Sequence, residues 1–295
     1  MVTSDARSAG RARGESLRAW TLARVAELDL RPSRDLGQNF LVDERFLDAV
    51  EEAAELDPAD TVIEVGGGLG ALSLRLAPRT AHLHVVEVDP RLATFLAREL
   101  EPFAGATVHT ADAVRLDLGE LRPAPTKLVA NLPYGVAATV LLKAVEELAG
   151  ARLLVAMVQR EVGERFAAPP CTRTYGATSV LAQLACDVRV HRRVPRSAFS
   201  PAPNVDSTIV VLRRRRPTPS RPVRDVVRAA FAHRRKTLAG SLALAWPEEG
   251  GLRERARAAL VALGHPLDAR AERLSPNELE RLALWLGRDG EPPVP

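Results

Sequence analysis

From residue 60 onward, short apolar runs alternate with longer stretches in which apolar residues recur every three or four positions. The short runs read as strands and the longer period-3.6 stretches as helices. This pattern predicts strands over Thr61–Val65, His82–Val88, Thr107–Thr110, Lys127–Asn131, Arg152–Val158, Val188–Val194 and Ser207–Leu212. Helices are predicted over Asp43–Glu55, Ala71–Leu76, Pro90–Leu100, Val136–Leu148 and Tyr175–Ala185. Strands that alternate with crossover helices build a mostly parallel sheet, so residues 34–215 are expected to form one seven-stranded α/β domain.

The sequence RRRRPTPSRP at 213–222 interrupts this pattern, because three prolines in six positions stop any strand or helix. Beyond it the periodicity is wholly helical over Val223–Ala245, Leu252–Leu263 and Ser275–Leu286. Ser275, Pro276 and Glu278 supply an N-cap, a proline in the first position and an acid in the third. Residues 216–287 are therefore expected to form a small all-α domain, with a loose tail at 288–295. Residues 1–33 read as a partly flexible extension with one helix at Ser16–Leu28. They lack a signal peptide's apolar stretch, and Asp5, Glu15, Glu27 and Asp29 argue against a transit peptide.

Composition narrows the function. Of 295 residues, 46% are hydrophobic and 26% charged, which excludes a disordered or fibrous chain. No apolar run approaches the roughly 18 residues of a membrane helix, so a soluble, cytoplasmic protein without a membrane partner is expected. Cys171 and Cys186 lie 15 apart with no second pair. That removes a disulfide framework and a zinc site of the CxxC type, and no metal is expected. The net charge is only +4, yet between Arg213 and Lys236 ten cationic side chains face one acid, Asp225. The remainder is thus net negative. Such a block suits a polyanion, most simply nucleic acid. Compositional bias explains the preference for Arg over Lys but not the clustering.

Four features fall at the carboxyl ends of successive predicted strands, where an open parallel sheet binds its ligand. The first is Glu64-Val65-Gly66-Gly67-Gly68-Leu69-Gly70, in which glycines at 66, 68 and 70 permit a tight turn and close approach of a ligand. Its GxGxG spacing differs from the GxGxxG of dinucleotide enzymes. The second is Glu87, placed to accept both hydroxyls of a ribose, although an acid there is equally a solvated strand end. The third is Asp112, before Ala113, suited to an adenine amine or simply to capping its own loop. The fourth is Asn131-Leu132-Pro133-Tyr134. An adenine amino group is a poor nucleophile because its lone pair is delocalised into the ring. An amide oxygen and a backbone carbonyl accepting its two N–H bonds favour a pyramidal nitrogen that can attack a methyl group. Proline fixes the chain for that carbonyl, and tyrosine offers a face on which a flipped base can stack.

These segments resemble the KsgA family of small-subunit rRNA adenine dimethyltransferases. Leu36 to Leu41 (LGQNFL), EVGGGLG at 64–70, Asn131 to Tyr134, VQREV at 158–162, AFSPAPNVDS at 198–207 and FAHRRKTL at 231–238 carry the likeness over roughly residues 30–285. The resemblance implies a Rossmann-like class I methyltransferase fold with S-adenosyl-L-methionine as cofactor. It also implies two methyl groups on each of two adjacent adenosines in the 3′-terminal hairpin loop of small-subunit rRNA, late in assembly of a 30S-type particle. Cofactor contacts then fall on Asn39, Leu41, Glu64, Gly66, Gly68, Gly70, Glu87, Asp112, Ala113 and Asn131. Asn131 and the Leu132–Pro133 backbone hold the target amine, with Tyr134 and Phe199 sandwiching the ring. Arg213, Arg214, Arg228, Arg234, Arg235 and Lys236 are the expected RNA contacts. Gly67 departs from the family, where proline is common, and implies a looser loop. Nothing in the chain demands more than a monomer. Two rival readings are a large-subunit rRNA adenine methyltransferase of the macrolide-resistance type and a nucleic-acid-binding relative without catalysis.

Overall fold

The structure, a computed structural model, describes residues 15–32 and 38–287. In chain order its elements are α1 (Leu17–Glu27), β1 (Phe40–Leu41), α2 (Glu44–Ala54), β2 (Thr61–Val65), α3 (Ser73–Leu76), β3 (His82–Glu87), α4 (Pro90–Leu100), β4 (Ala106–Thr110), β5 (Lys127–Asn131) and α5 (Ala137–Glu147). There follow β6 (Leu153–Gln159), α6 (Arg160–Phe166), α7 (Ala177–Ala185), β7 (Cys186–Val194), β8 (Phe199–Ser200), β9 (Ser207–Arg214), α8 (Arg221–Ala232), α9 (Leu238–Ala245), α10 (Leu252–Ala262) and α11 (Pro276–Leu286). The chain divides into two compact units. One holds the described residues through Gly163 with Asp187–Arg214, and the other holds Glu164–Cys186 with those from Arg215 onward.

The first unit is built on a seven-stranded sheet of order β4-β3-β2-β5-β6-β9-β7. Parallel ladders join β2 to β3 and β5, β3 to β4, and β5 to β6, while β9 runs antiparallel to β6. This is the mostly parallel α/β sheet expected. Nearly every side chain of β2, β5, β6 and β9 is buried, which is why these strands read as continuous apolar runs. Helix starts are fixed locally: Asp43 and Asp89 cap α2 and α4 by accepting from the N–H groups of Arg45 and Arg91. Among the described residues, no helix is long and apolar enough to cross a membrane.

Two arrangements in this unit were not legible as periodicity. Strands β1 and β8 pair antiparallel, Phe40 with Ser200 and Leu41 with Phe199, in a two-stranded ribbon too short to leave a period-2 signal. The helix expected at Ser16–Leu28 forms as α1, with Ser16 accepting from the Ala19 N–H, and it is docked: Leu17 and Trp20 sit in the hydrophobic core. The remainder of the expected extension at 1–14, the expected tail at 288–295, and Leu36 and Gly37 lie outside the described residues.

The second unit is helical. Tyr175 is fully buried, its hydroxyl donates to the Leu274 carbonyl at 3.0 Å, and its ring meets Phe231 edge-on. Residues 164–186, assigned from the sequence to the α/β domain, group with the helices because Tyr175 and α7 pack among them. The continuous helix expected over Val223–Ala245 is two helices separated by a turn at 233–237. Thr237 caps α9 by accepting from the Gly240 N–H, and Arg234 spans the turn to the carbonyls of Arg173 and Tyr175. At the other end the expected N-cap Ser275 and the acid Glu278 bond reciprocally in a capping box of α11.

Where β2 and β5 begin, Lys127 and Asp60, each 1% exposed, form an ion pair at 2.7 Å, and Arg152 reaches the other Asp60 oxygen at 2.6 Å. Asp60→Ala leaves a buried cation without its counter-charge. It should lower unfolding stability by about 3–5 kcal/mol in urea denaturation, and a loss under about 1 kcal/mol would contradict this role.

Candidate active site

The carboxyl ends of β2, β3, β4 and β5 open onto one cavity of about 270 Å³. The turn after β2 forms its floor. Gly66 has φ +81°, and a Cβ placed there would lie 3.0 Å from Pro133 Cδ, so this turn and the Asn-Leu-Pro-Tyr turn are in contact. Gly68 also lines the cavity. Gly70 does not; it stands behind the wall against Leu96 and Leu74. At Gly67 the expectation of a looser loop meets a packed position. Its Cβ would come within 2.5 Å of Val85 and 2.8 Å of Leu96, so those side chains fill the space a proline would need.

Carboxyl groups surround this floor. Glu87, buried at the end of β3, accepts from the Gly68 N–H at 2.9 Å and from the Asp89 N–H at 3.0 Å. Burial raises its pKa and those bonds oppose the rise. Glu64 is fully buried in β2, and its Oε2 has no hydrogen-bond partner among the described residues. Burial pushes its carboxyl up to about 8, against Ser73 and with Glu87 adding to the rise. Asp112 accepts from the Val114 N–H at 2.9 Å, capping its own turn, and it lines the cavity beside Ala113. Asn39 and Leu41 line it from the β1 side, positioned by the ribbon with β8.

At the end of β5 the half-buried Asn131 amide makes no hydrogen bond among the described residues. The Leu132 N–H is spent on the Met157 carbonyl and the Pro133 carbonyl accepts from the Val136 N–H, whereas no hydrogen bond ends on the Leu132 carbonyl among the described residues. Two acceptors therefore stand side by side. Tyr134 lines the cavity and its hydroxyl is anchored to Ser207 Oγ at 2.5 Å. Phe199 meets Tyr134 edge-on with ring centroids 6.4 Å apart, is 2% exposed and lies outside the cavity lining. A base can enter between the two rings only if they part.

The expected RNA contacts differ in their freedom. In the first unit Arg213 is paired with Glu55, and Arg214 donates to the carbonyls of Val145, Leu148 and Ala151 at the end of α5. In the second unit Arg228 lies 3.6 Å from Asp225, and Arg234 holds the turn described above. Arg235 and Lys236 are exposed and have no ion pair among the described residues. Among those residues no group of three or more His, Cys, Asp and Glu is placed to hold a metal. His82, His84 and His109 do cluster with their rings tilted, but His84 uses both ring nitrogens on His109 and the Pro123 carbonyl.

Among the polar residues that line the cavity or anchor its wall, Thr21, Gln38 and Ser207 escaped sequence reasoning. Ser207 stands in the AFSPAPNVDS segment and was within reach. Thr21 carries no local signal, because the docking of α1 is a long-range event.

A model of the ribosomal RNA adenine dimethylase family matches residues 30–258. A ribosomal RNA small subunit methyltransferase A from Rubrobacter xylanophilus is 43% identical over 85% of this chain and 94% of its own. Another of that name from Thermobifida fusca is 43% identical over 88% and 92%. Among solved structures, a dimethyladenosine transferase from Plasmodium falciparum is similar in fold, with a TM-score of 0.72 at 24% identity over 85% of this chain and 98% of that one. The 23S rRNA methyltransferase ErmE gives 0.63 at 27% identity over 85% and 100%.

Glu64 gives the protein a pH signature. Its folded-state pKa stands above the unfolded value, so stability falls as pH rises from 4.5 to about 8, the window in which only the unfolded chain ionises. Glu64→Gln should therefore gain on the wild type in thermal unfolding as pH increases across that window. Parallel pH profiles would contradict the burial argument.

Proposed function

The chain belongs to the ribosomal RNA adenine dimethylase family, and from that premise we propose how its site methylates small-subunit rRNA. The target is the N6 amine of two adjacent adenosines in the 3′-terminal hairpin loop, dimethylated within an assembling 30S-type particle in the cytoplasm by a monomer. The observation that carries this reading is the contact between Gly66 and Pro133, which sets the two unpaired acceptors of Asn131 and Leu132 directly against the acidic, glycine-floored cavity.

The cavity's chemistry fits S-adenosyl-L-methionine. Glu64 Oε2 is an orphaned buried acceptor, and a cationic ligand beside it favours its ionised form. Glu87 suits ribose hydroxyls, and Asp112 with Ala113 suits an adenine edge. Asn39, Leu41, Gly66 and Gly68 complete the wall, and Gly70 shapes the turn from behind. When bound, this cofactor supplies an electrophilic methyl group on a sulfonium. The protein's part is placement. Asn131 Oδ1 and the Leu132 carbonyl accept the two N–H bonds of the target amine, drawing its lone pair out of the ring, so no strong base is needed. Pro133 holds that carbonyl in place, and Tyr134, fixed through Ser207, stacks on the flipped base. Phe199 closes the second face once it parts from Tyr134. A singly methylated amine keeps one N–H, so the same acceptors can present it again.

For rRNA phosphates, Arg235 and Lys236 are the two of the six expected contacts that carry no ion pair among the described residues. Arg213, Arg214, Arg228 and Arg234 contribute charge from beside their intramolecular partners. The large-subunit alternative has the likeness to ErmE in its favour, but the 43% identity to relatives named for the small subunit is the stronger similarity. A reading without catalysis leaves the paired acceptors at Asn131 and Leu132 without a purpose.

Asn131→Ala should keep the fold and lose at least about a hundredfold in methyl transfer to small-subunit particles. Turnover within a few-fold of wild type would remove the proposed role. Arg235→Ala with Lys236→Ala should weaken rRNA binding and lower the salt slope by up to about two, since each phosphate contact contributes close to one. An unchanged slope would assign the phosphates to other cations.

A further inference from the structure

Helix α1 precedes residues 30–258, which the family matches, and no functional role follows for it from the motifs. It is nonetheless firmly placed. Leu17 and Trp20 are buried in the core, Arg24 lies 3.7 Å from Glu99, Glu27 pairs with Arg98 at 3.2 Å, and Arg91 donates to the Leu28 carbonyl. Arg91, Arg98 and Glu99 all belong to α4, the helix that follows the β3 end carrying Glu87. Helix α1 is thus strapped to an element that borders the cavity.

On α1, Thr21 lines the cavity, is 1% exposed, and has a buried hydroxyl with no hydrogen-bond partner among the described residues. A helical threonine commonly returns its hydroxyl to a carbonyl one turn back, and this one does not. A buried polar group left unpaired is unfavourable, so its presence at a cavity wall points to a partner that arrives with a ligand. We infer that α1 is a wall of the cofactor site and that Thr21 donates a hydrogen bond to an oxygen of bound S-adenosyl-L-methionine. This rests on the reading of the cavity given above.

Thr21→Val removes the hydroxyl at nearly constant shape. Without cofactor the variant should unfold at or above the wild-type temperature, because the group removed makes no bond in the free protein. Its Kd for S-adenosyl-L-methionine, measured calorimetrically on the full chain, should rise about five- to tenfold, the loss of one hydrogen bond. Thr21→Ser should stay within about twofold of wild type. A Thr21→Val Kd equal to wild type overturns the inference while leaving the cofactor reading intact. So does a fall in the unfolding temperature of the free variant that accounts for the weaker binding. Absence of cofactor binding by the wild type itself overturns both.

Discussion

The turn after β2 and the turn after β5 touch, and the site depends on that contact. Residue 66 must be glycine because a Cβ there would press on Pro133. The contact follows from topology. From β2 the chain builds outward through β3 and β4, then crosses back to lay β5 on the other side of β2. A parallel sheet opens a crevice where its strand order reverses, and the carboxyl ends of β2 and β5 flank it here. In the proposed reading, a methyl donor on the glycine floor and an amine held at Asn131 are then neighbours by construction. Catalysis by proximity requires nothing more elaborate.

The electrostatics divide into two opposite characters. The cavity is lined by carboxyl groups, with burial raising the pKa of Glu64 and Glu87 tied by backbone N–H groups. The exposed turn between α8 and α9 is basic, with Arg235 and Lys236 uncommitted. In the proposed reading, a chain of net charge only +4 thereby offers a site for a small cation and a surface for a polyanion. Many of its other arginines are consumed internally, as Arg214 is at the end of α5 and Arg75 against Asp48 and Glu51.

What could be read from the sequence was what local pattern encodes. The buried strands stood out as apolar runs, and Glu64, Glu87, Asp112 and Asn131, which line the cavity, were legible because each lies at or near the carboxyl end of a strand. Contacts between distant segments were not legible. The β1–β8 ribbon joins two residues to two across about 160 positions, the docking of α1 depends on partners on α4, and the packing that closes Gly67 comes from Val85 and Leu96. The break at 233–237 escaped because Phe231 and Leu238 keep helical spacing across it, while the Thr237 cap that marks a new start was there to be seen. Tyr134 and Phe199, expected to sandwich the base, meet each other instead, and their edge-on packing is a side-chain fact with no trace in the chain.

The most direct measurement is to incubate the full chain with unmodified small subunits and S-adenosyl-L-methionine and to map the product by mass spectrometry of rRNA fragments. The proposed geometry predicts N6,N6-dimethyladenosine at two adjacent positions in the 3′-terminal hairpin loop. Methylation confined to large-subunit rRNA, or no dimethyladenosine in either, would contradict it.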